Sequence, residues 1–160
     1  MSSPAFMIDG VLIHPLRQVA DERGKVMHML KSTDPWFRQF GEVYFSSVNP
    51  GAVKAWKLHT RMALNLAVVH GAARLVIFDD RDPSATRGQV QEFVLSPDNY
   101  QLVTVPPGVW TGFAGVSSFP ALVANCASLP HDPAEVLRKA PNDPAIPYAW
   151  NPVAGAASFP

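Results

Sequence analysis

Apolar and polar positions alternate in short runs along most of this chain, with a period nearer two than 3.6. GVLIH, from Gly10 to His14, predicts a first short strand, and the turn signal DERG (Asp21 to Gly24) leads into a second, KVMHML. From Gly41 onward the runs EVYFSSVN, VKAWKLH, ALNLAVV and ARLVIFDD are rich in Val, aromatic and alternating residues, with NPG and HG between some of them. β-branched and aromatic side chains suit a pleated, half-buried surface, and Gly, Asn and Pro punctuate it. ALNLAVVHGAARLVIFDD therefore reads as a hairpin turning at His70-Gly71. The polar loop DRDPSATRG follows, then the strand QVQEFVLS, the turn PDN, the strand YQLVTVP, the turn PPG, and two more strands in VWTGFAGV and PALVANCA.

Two segments depart from this pattern. Thr33 to Phe40 predicts a helix, with a Thr or Asp cap and Pro35 in its first turn. DPAEVLRKA predicts another, with Asp132 as cap, Pro133 at the first position and Glu135 in the first turn. The ending PNDPAIPYAWNPVAGAASFP reads as proline-rich coil, pinned to the body by Tyr148 and Trp150. The 16 prolines, gathered in turns and near the C-terminus, favour a loop-rich β-protein. Many short strands with Gly and Pro turns point to a closed barrel or a double-sheet jelly roll.

Composition narrows the partners. At 160 residues the chain is expected to be one domain, 1–160, with its core over 9–150 and a tail over 151–160. Formal net charge is zero, so there is no electrostatic footprint for nucleic acid or for anionic lipid, and neither is expected as a partner. The N-terminus lacks the basic start and apolar stretch of a secretory signal, and no apolar run approaches the roughly 20 residues that span a bilayer; a soluble, cytoplasmic protein is expected. The single cysteine, Cys126 in ALVANCA, reads as a core thiol rather than a nucleophile.

His59 ends the run VKAWKLH, and a histidine on a β-scaffold is a natural proton-abstracting group once a second residue fixes its tautomer. Asp143, in an NDP turn, either supplies that carboxylate or closes its own turn through an Asx hydrogen bond. Arg61, two positions beyond His59, would share its face of a strand. Asn65, polar within ALNLAVV, is either buried and paired or lines a cavity. Tyr44 and Tyr100 are spare phenols, His131 belongs to the helix cap, and His14, His28 and His70 read as structural or turn residues.

The order GVLIHPLRQVADERG, KLH, VVHGAARLVIFDDR, LSPDNYQLVTVPPGVWTGF and NDPAIPYAW resembles the dTDP-4-dehydrorhamnose 3,5-epimerase family of cupins over Gly10 to Trp150. The resemblance implies an all-β fold, a cupin-type double-stranded β-helix or jelly-roll barrel with short flanking helices, usually a homodimer. It implies a cavity for a nucleotide-linked 4-keto sugar and no metal or cofactor. A His–Asp pair in that family removes a proton beside the ketone and a Tyr on the opposite side returns it. Carried over by position, His59 falls on the base, Asp143 on its partner carboxylate, and Arg23 on a residue that contacts the nucleotide diphosphate. The family's Arg before the base is Trp56 here, its Lys one strand later is about Leu64, its His in the PPG block is Thr111, and its Tyr falls around Leu129-Pro130.

A metal centre of the kind many cupins hold needs a closely spaced His pair and a later His. Arg61 and Thr111 stand near those places, so none is expected. These readings converge on an epimerase or isomerase of a nucleotide-linked 4-keto deoxysugar, with His59, Asp143 and Arg61 at the chemistry and Arg23, Tyr44, Trp56, Asn65 and Thr111 holding substrate. The alternative is a degenerate cupin that binds a sugar or small metabolite without turning it over. Trp56, Leu58, Leu64 and Leu66 are expected in the barrel wall.

Overall fold

The computed structural model describes residues 7–151, so most of the expected C-terminal tail lies outside the described residues. The alternating runs form strands β1 (Leu12–Pro15), β2 (Gln18–Asp21), β3 (Gly24–Met27), β4 (Glu42–Val48), β5 (Val53–His59) and β6 (Leu64–His70). They continue as β7 (Ala73–Phe78), β8 (Val90–Leu95), β9 (Gln101–Val105), β10 (Trp110–Gly115), β11 (Ala121–Ala127) and β12 (Val136–Arg138). Two five-stranded sheets, ordered β1-β9-β6-β11-β4 and β12-β5-β10-β7-β8, face one another, and the DERG turn closes a separate two-stranded ribbon of β2 and β3. All strand pairs within them are antiparallel.

The chain passes from one sheet to the other at nearly every turn from β4 onward; there, only β7 and β8 pair with a sequence neighbour. This alternation is the jelly-roll pattern. It also corrects the hairpin expected at His70-Gly71, because β6 and β7 belong to opposite sheets. Periodicity reports which face of a strand is buried, not which strand it pairs with. Gly71 makes that corner with φ +69° while a Cβ there would lie 2.8 Å from the Ala121 Cα, so both conformation and space require glycine.

Neither expected helix forms. Thr33 to Phe40 is a series of turns, with Lys31 and Asp34 bonded to one another through Lys31 N to Asp34 Oδ2 (2.8 Å) and Asp34 N to Lys31 O (3.0 Å). In the second segment Asp132 does cap a turn by accepting from Ala134 N, but the turn is a single 3-10 turn, Pro133–Glu135. The following residues leave it to become β12 because β5 offers a free edge. An isolated helix this short has little to offset its nucleation cost, whereas a strand edge supplies ready hydrogen bonds.

Val68, Leu75, Ile77, Val103, Val105 and Val123 fill the space between the sheets with their neighbours. On the opposite face of the second sheet a smaller cluster of Trp56, Val76, Phe78, Trp110 and Ile146 is covered by the C-terminal segment. Trp150 lies 5.0 Å and Tyr148 6.0 Å from the Trp56 ring, so these aromatics pin the segment as expected. Gly112 allows the approach: a Cβ there would come 2.9 Å from the Trp150 ring. Trp56 and Leu58 pack in this outer cluster, whereas Leu64 and Leu66 reach the cavity wall.

Candidate functional site

The open end of the sandwich, where β4 and β5 face each other, holds a cavity of about 470 Å³. Most of its chemistry comes from β5. The β10 register pairs Thr111 with Lys57 and then Phe113 with Lys54, so β5 carries one extra residue and is bulged between them. A bulge redirects side chains. Here Lys54 joins Lys57 and His59 on the cavity wall, while Trp56 remains buried. Arg138 enters from β12, directly opposite Lys57, and Lys139 follows it.

His59 is 9% exposed and ends β5 where Val136 of β12 pairs with it. That pairing brings the preceding residue, Glu135, beneath the imidazole, and its Oε1 meets His59 Nδ1. The other oxygen, Oε2, accepts from Arg61 N (3.0 Å) and Met62 N (3.1 Å). Burial alone would raise the Glu135 carboxyl, but the His59 bond and these two backbone donors outweigh it and hold the carboxyl below its usual range. An ionised carboxylate accepts only, so Nδ1 carries the hydrogen and Nε2 is left as the nitrogen free for a ligand.

Among the described residues no carboxylate lines this cavity, and its four cationic side chains make it electropositive. The Lys57 ammonium is held below its ordinary value by desolvation first, then by Arg138 and Lys54. Lys54 Nζ donates to Ser46 Oγ on β4 (3.0 Å), and Lys139 lies over the Trp110 ring. On the opposite wall Tyr44 of β4 and Asn125 of β11 face the same space, with Asn125 Nδ2 donating to Tyr44 Oη (2.9 Å). A smaller cavity of about 240 Å³ adjoins it and shares Tyr44, Lys57, His59 and Arg138.

Of the expected site residues, His59, Tyr44 and Thr111 converge here, while Trp56 borders the cavity but turns its ring to Tyr148 and Trp150 on the outer face. Thr111 Oγ1 donates to Lys57 O at 3.3 Å. The partner of His59 is Glu135, not Asp143. Asp143 closes its own turn, its Oδ1 accepting from Ala145 N at 2.9 Å, and its other oxygen lies 3.9 Å from Lys139 Nζ. Arg61 lies beyond the end of β5, so the strand-face rule does not reach it; its guanidinium is largely exposed and pairs with Asp132 at 3.1 Å. Asn65 is buried and fully engaged, with its N bonded to Asn125 Oδ1, its Nδ2 to Cys126 O and its Oδ1 to Thr104 Oγ1. Arg23 sits exposed in the ribbon turn and pairs with Asp21 at 2.7 Å, away from the cavity. Burial raises the Cys126 thiol, which suits a non-reactive role.

Sequence reasoning missed Lys54, Lys57, Arg138, Lys139, Asn125 and Glu135. Lys57 alone carried a readable signal, because it stands two residues before His59 on one strand. Among the described residues no helix is long and apolar enough to cross a membrane.

Comparison with known proteins agrees with this architecture. A crystal structure of a dTDP sugar isomerase from Desulfovibrio desulfuricans superposes with a TM-score of 0.87 at 45% identity over 94% of each chain. A probable low-salt glycan biosynthesis epimerase of Haloferax volcanii is 32% identical over 143 residues, 88% of either chain. A spore coat polysaccharide biosynthesis protein of Bacillus subtilis is 26% identical over 91% of this chain and 97% of its own. The model of the family described as dTDP-4-dehydrorhamnose 3,5-epimerase matches residues 5–158, and with the jelly roll and its cavity in place the chain belongs to that family.

Proposed function

We propose that the protein catalyses proton transfer beside the ketone of a nucleotide-linked 4-keto deoxysugar, as an epimerase or isomerase. The observation that carries this is the buried Glu135–His59 pair facing an electropositive cavity. A ketone acidifies the hydrogens on its neighbouring carbons. Glu135 holds the Nδ1 hydrogen, so Nε2 is available as the base, and Lys57 and Arg138 meet the charge of the enolate and of the nucleotide phosphates. The orienting role expected of Asp143 is thus filled by a carboxylate from another segment.

Solvent-deuterium exchange into a panel of dTDP-4-keto-6-deoxy sugars tests this. Wild type incorporates deuterium beside the ketone and His59→Asn does not. Binding of dTDP without exchange by wild type would instead favour the non-catalytic binding module, which the absence of the family's Arg, Lys, His and Tyr at Trp56, Leu64, Thr111 and Leu129-Pro130 supports. We further propose a homodimer. β4 is a sheet edge whose outward Val43 and Phe45 are 51% and 62% exposed, an apolar strip that a second copy would cover. Sedimentation at micromolar concentration checks it.

A further inference from the structure

Building on the proton-transfer reading, we infer that Tyr44 is the proton donor on the face opposite His59 and that Asn125 is the residue that aims its hydroxyl hydrogen into the cavity. The two groups stand on different sheets, Tyr44 on β4 and His59 on β5, and line one cavity between them. A substrate held there has the imidazole on one side and the phenol on the other.

The direction of the Tyr44 hydrogen follows from a chain of bonds with one consistent polarity. Asn65 N is a backbone amide and can only donate, so the Asn125 atom it meets at 3.1 Å is the oxygen Oδ1. That fixes Nδ2 as the atom facing Tyr44, and Nδ2 can only donate, so Tyr44 Oη accepts. With its lone pair engaged, the phenol is free to give its own hydrogen to the cavity. Asn125 is itself 0% exposed and Asn65 is held by Thr104, so the amide cannot easily turn over. The polar ladder Thr104–Asn65–Asn125 crosses β9, β6 and β11 and reaches the cavity at Tyr44. Buried polar ladders are costly unless every member is satisfied, and this one is satisfied in the single orientation that exports a hydrogen.

Other donors are set aside by position or by the bonds they already make. Lys57, Arg138 and Lys139 come from the His59 side of the cavity, and Lys54, which reaches across to β4, gives its hydrogens to Ser46 Oγ and Ser47 O. Ser46 also lines the β4 wall, but its aliphatic hydroxyl is a much weaker acid than a phenol. Thr111 gives its hydrogen to Lys57 O. Tyr100 is buried and does not line the cavity, and Tyr148 donates to Glu92. In the reaction His59 Nε2 takes the carbon-bound proton and leaves the enolate. The Tyr44 O–H bond then breaks as a C–H bond forms on the other face. The phenolate keeps the Asn125 N–H bond until solvent reprotonates it, and His59 returns its proton to solvent. No oxidant or reductant is required.

The test follows two readouts of one reaction in D₂O, exchange beside the ketone and formation of the inverted epimer, for wild type, Tyr44→Phe and Asn125→Asp. Tyr44→Phe retains exchange, because His59 removes and returns the proton on its own face, while inversion falls about 100-fold or more. Asn125→Asp presents an acceptor to the phenol, draws its hydrogen out of the cavity, and lowers inversion with exchange again retained. Thermal melting and dTDP affinity confirm that both variants are folded and bind. Inversion by Tyr44→Phe at the wild-type rate overturns the inference, as does equal loss of exchange and inversion in a folded, dTDP-binding Tyr44→Phe. A wild type that exchanges without ever inverting overturns it too. A wild type that binds dTDP and never exchanges overturns the proton-transfer reading itself, and is thereby distinguished from failure of the Tyr44 assignment alone.

Discussion

Asp79 and Glu135 are both buried carboxylates fed by several donors, yet one closes on itself and the other opens onto a cavity. Asp79, at the end of β7, accepts from Arg81 through Nε (2.9 Å), Nη2 (3.0 Å) and N (3.0 Å), and from Ser84 Oγ (2.7 Å) and Thr86 Oγ1 (2.6 Å). Burial pushes its carboxyl upward, but Arg81, Thr86 and Ser84 more than reverse this and hold it far below the usual range. Every bond stays within the loop that follows β7, and the partner cation is permanent. Glu135 has three donors to the five of Asp79, but one is an imidazole with a second nitrogen to spare. A carboxylate matched to a guanidinium holds a loop; one matched to a histidine passes its orienting effect to a group that can still react.

The largest effect is expected where that difference is removed. In Glu135→Gln the two backbone donors, Arg61 N and Met62 N, still demand an oxygen, so the new NH₂ must face His59 Nδ1. Nδ1 then becomes the acceptor and the hydrogen moves to Nε2, which can no longer serve as base. Exchange beside the ketone should fall by about 10²–10⁴-fold, the usual worth of a general base, with dTDP affinity retained. Exchange at the wild-type rate would show that Glu135 is only a structural carboxylate, like Asp79.

Asp79→Ala should act on stability instead. It leaves Arg81 partly buried, along with two hydroxyls that have lost their acceptor, and breaking such a pair costs about 3–5 kcal/mol. Chemical denaturation measures this, and exchange per folded molecule should not change. The two carboxyls also make a shared pH signature. Both folded values are depressed, so each contributes stability that is fully present above its ordinary value, 3.8 for Asp and 4.5 for Glu, and that is lost as pH falls through the folded value. Each unit of depression is worth about 1.4 kcal/mol. Melting temperature followed from about pH 6 to about pH 3 should therefore fall less steeply in Asp79→Asn than in wild type. Equal slopes would mean that the loop carboxylate is not what acid titrates.

The strands were legible because a half-buried strand writes its burial into alternate residues, and His59 was legible because it interrupts such a run with a side chain that can both take and give a proton. What periodicity leaves open is the partner. His70-Gly71 has the residues of a hairpin turn, yet the crossing to the other sheet depends on Ala121 lying against Gly71, fifty residues away. Glu135 was hidden for the same reason. As the acidic residue in a first helical turn it needs no further explanation, and only the pairing of β12 with β5 turns it inward to His59. For Asn65 the sequence leaves two possibilities open, and the expected substrate contact gives way to the buried, paired one because its partners Asn125 and Thr104 come from two other strands. The same-face rule was sound for β5, but it was extended to Arg61 past the strand's end when Lys57 lay within it.

The smallest expected effect sharpens the contrast from the other side, because Asp143 is the carboxylate that position assigns to His59 and geometry does not. In Asp143→Asn the side-chain oxygen still accepts from Ala145 N, so the Asx turn before Ile146 is preserved. What disappears is the charge 3.9 Å from Lys139, in a pair exposed by 32% and 27%, and such pairs contribute about 0–1 kcal/mol. Lys139 keeps its place over the Trp110 ring. Stability should change by less than about 1 kcal/mol, and deuterium exchange should stay within about twofold of wild type, since nothing at His59 moves. A loss of exchange comparable to that of Glu135→Gln would require Asp143 to reach His59 in the working enzyme, and would transfer the orienting role from the β12 segment back to the NDP turn.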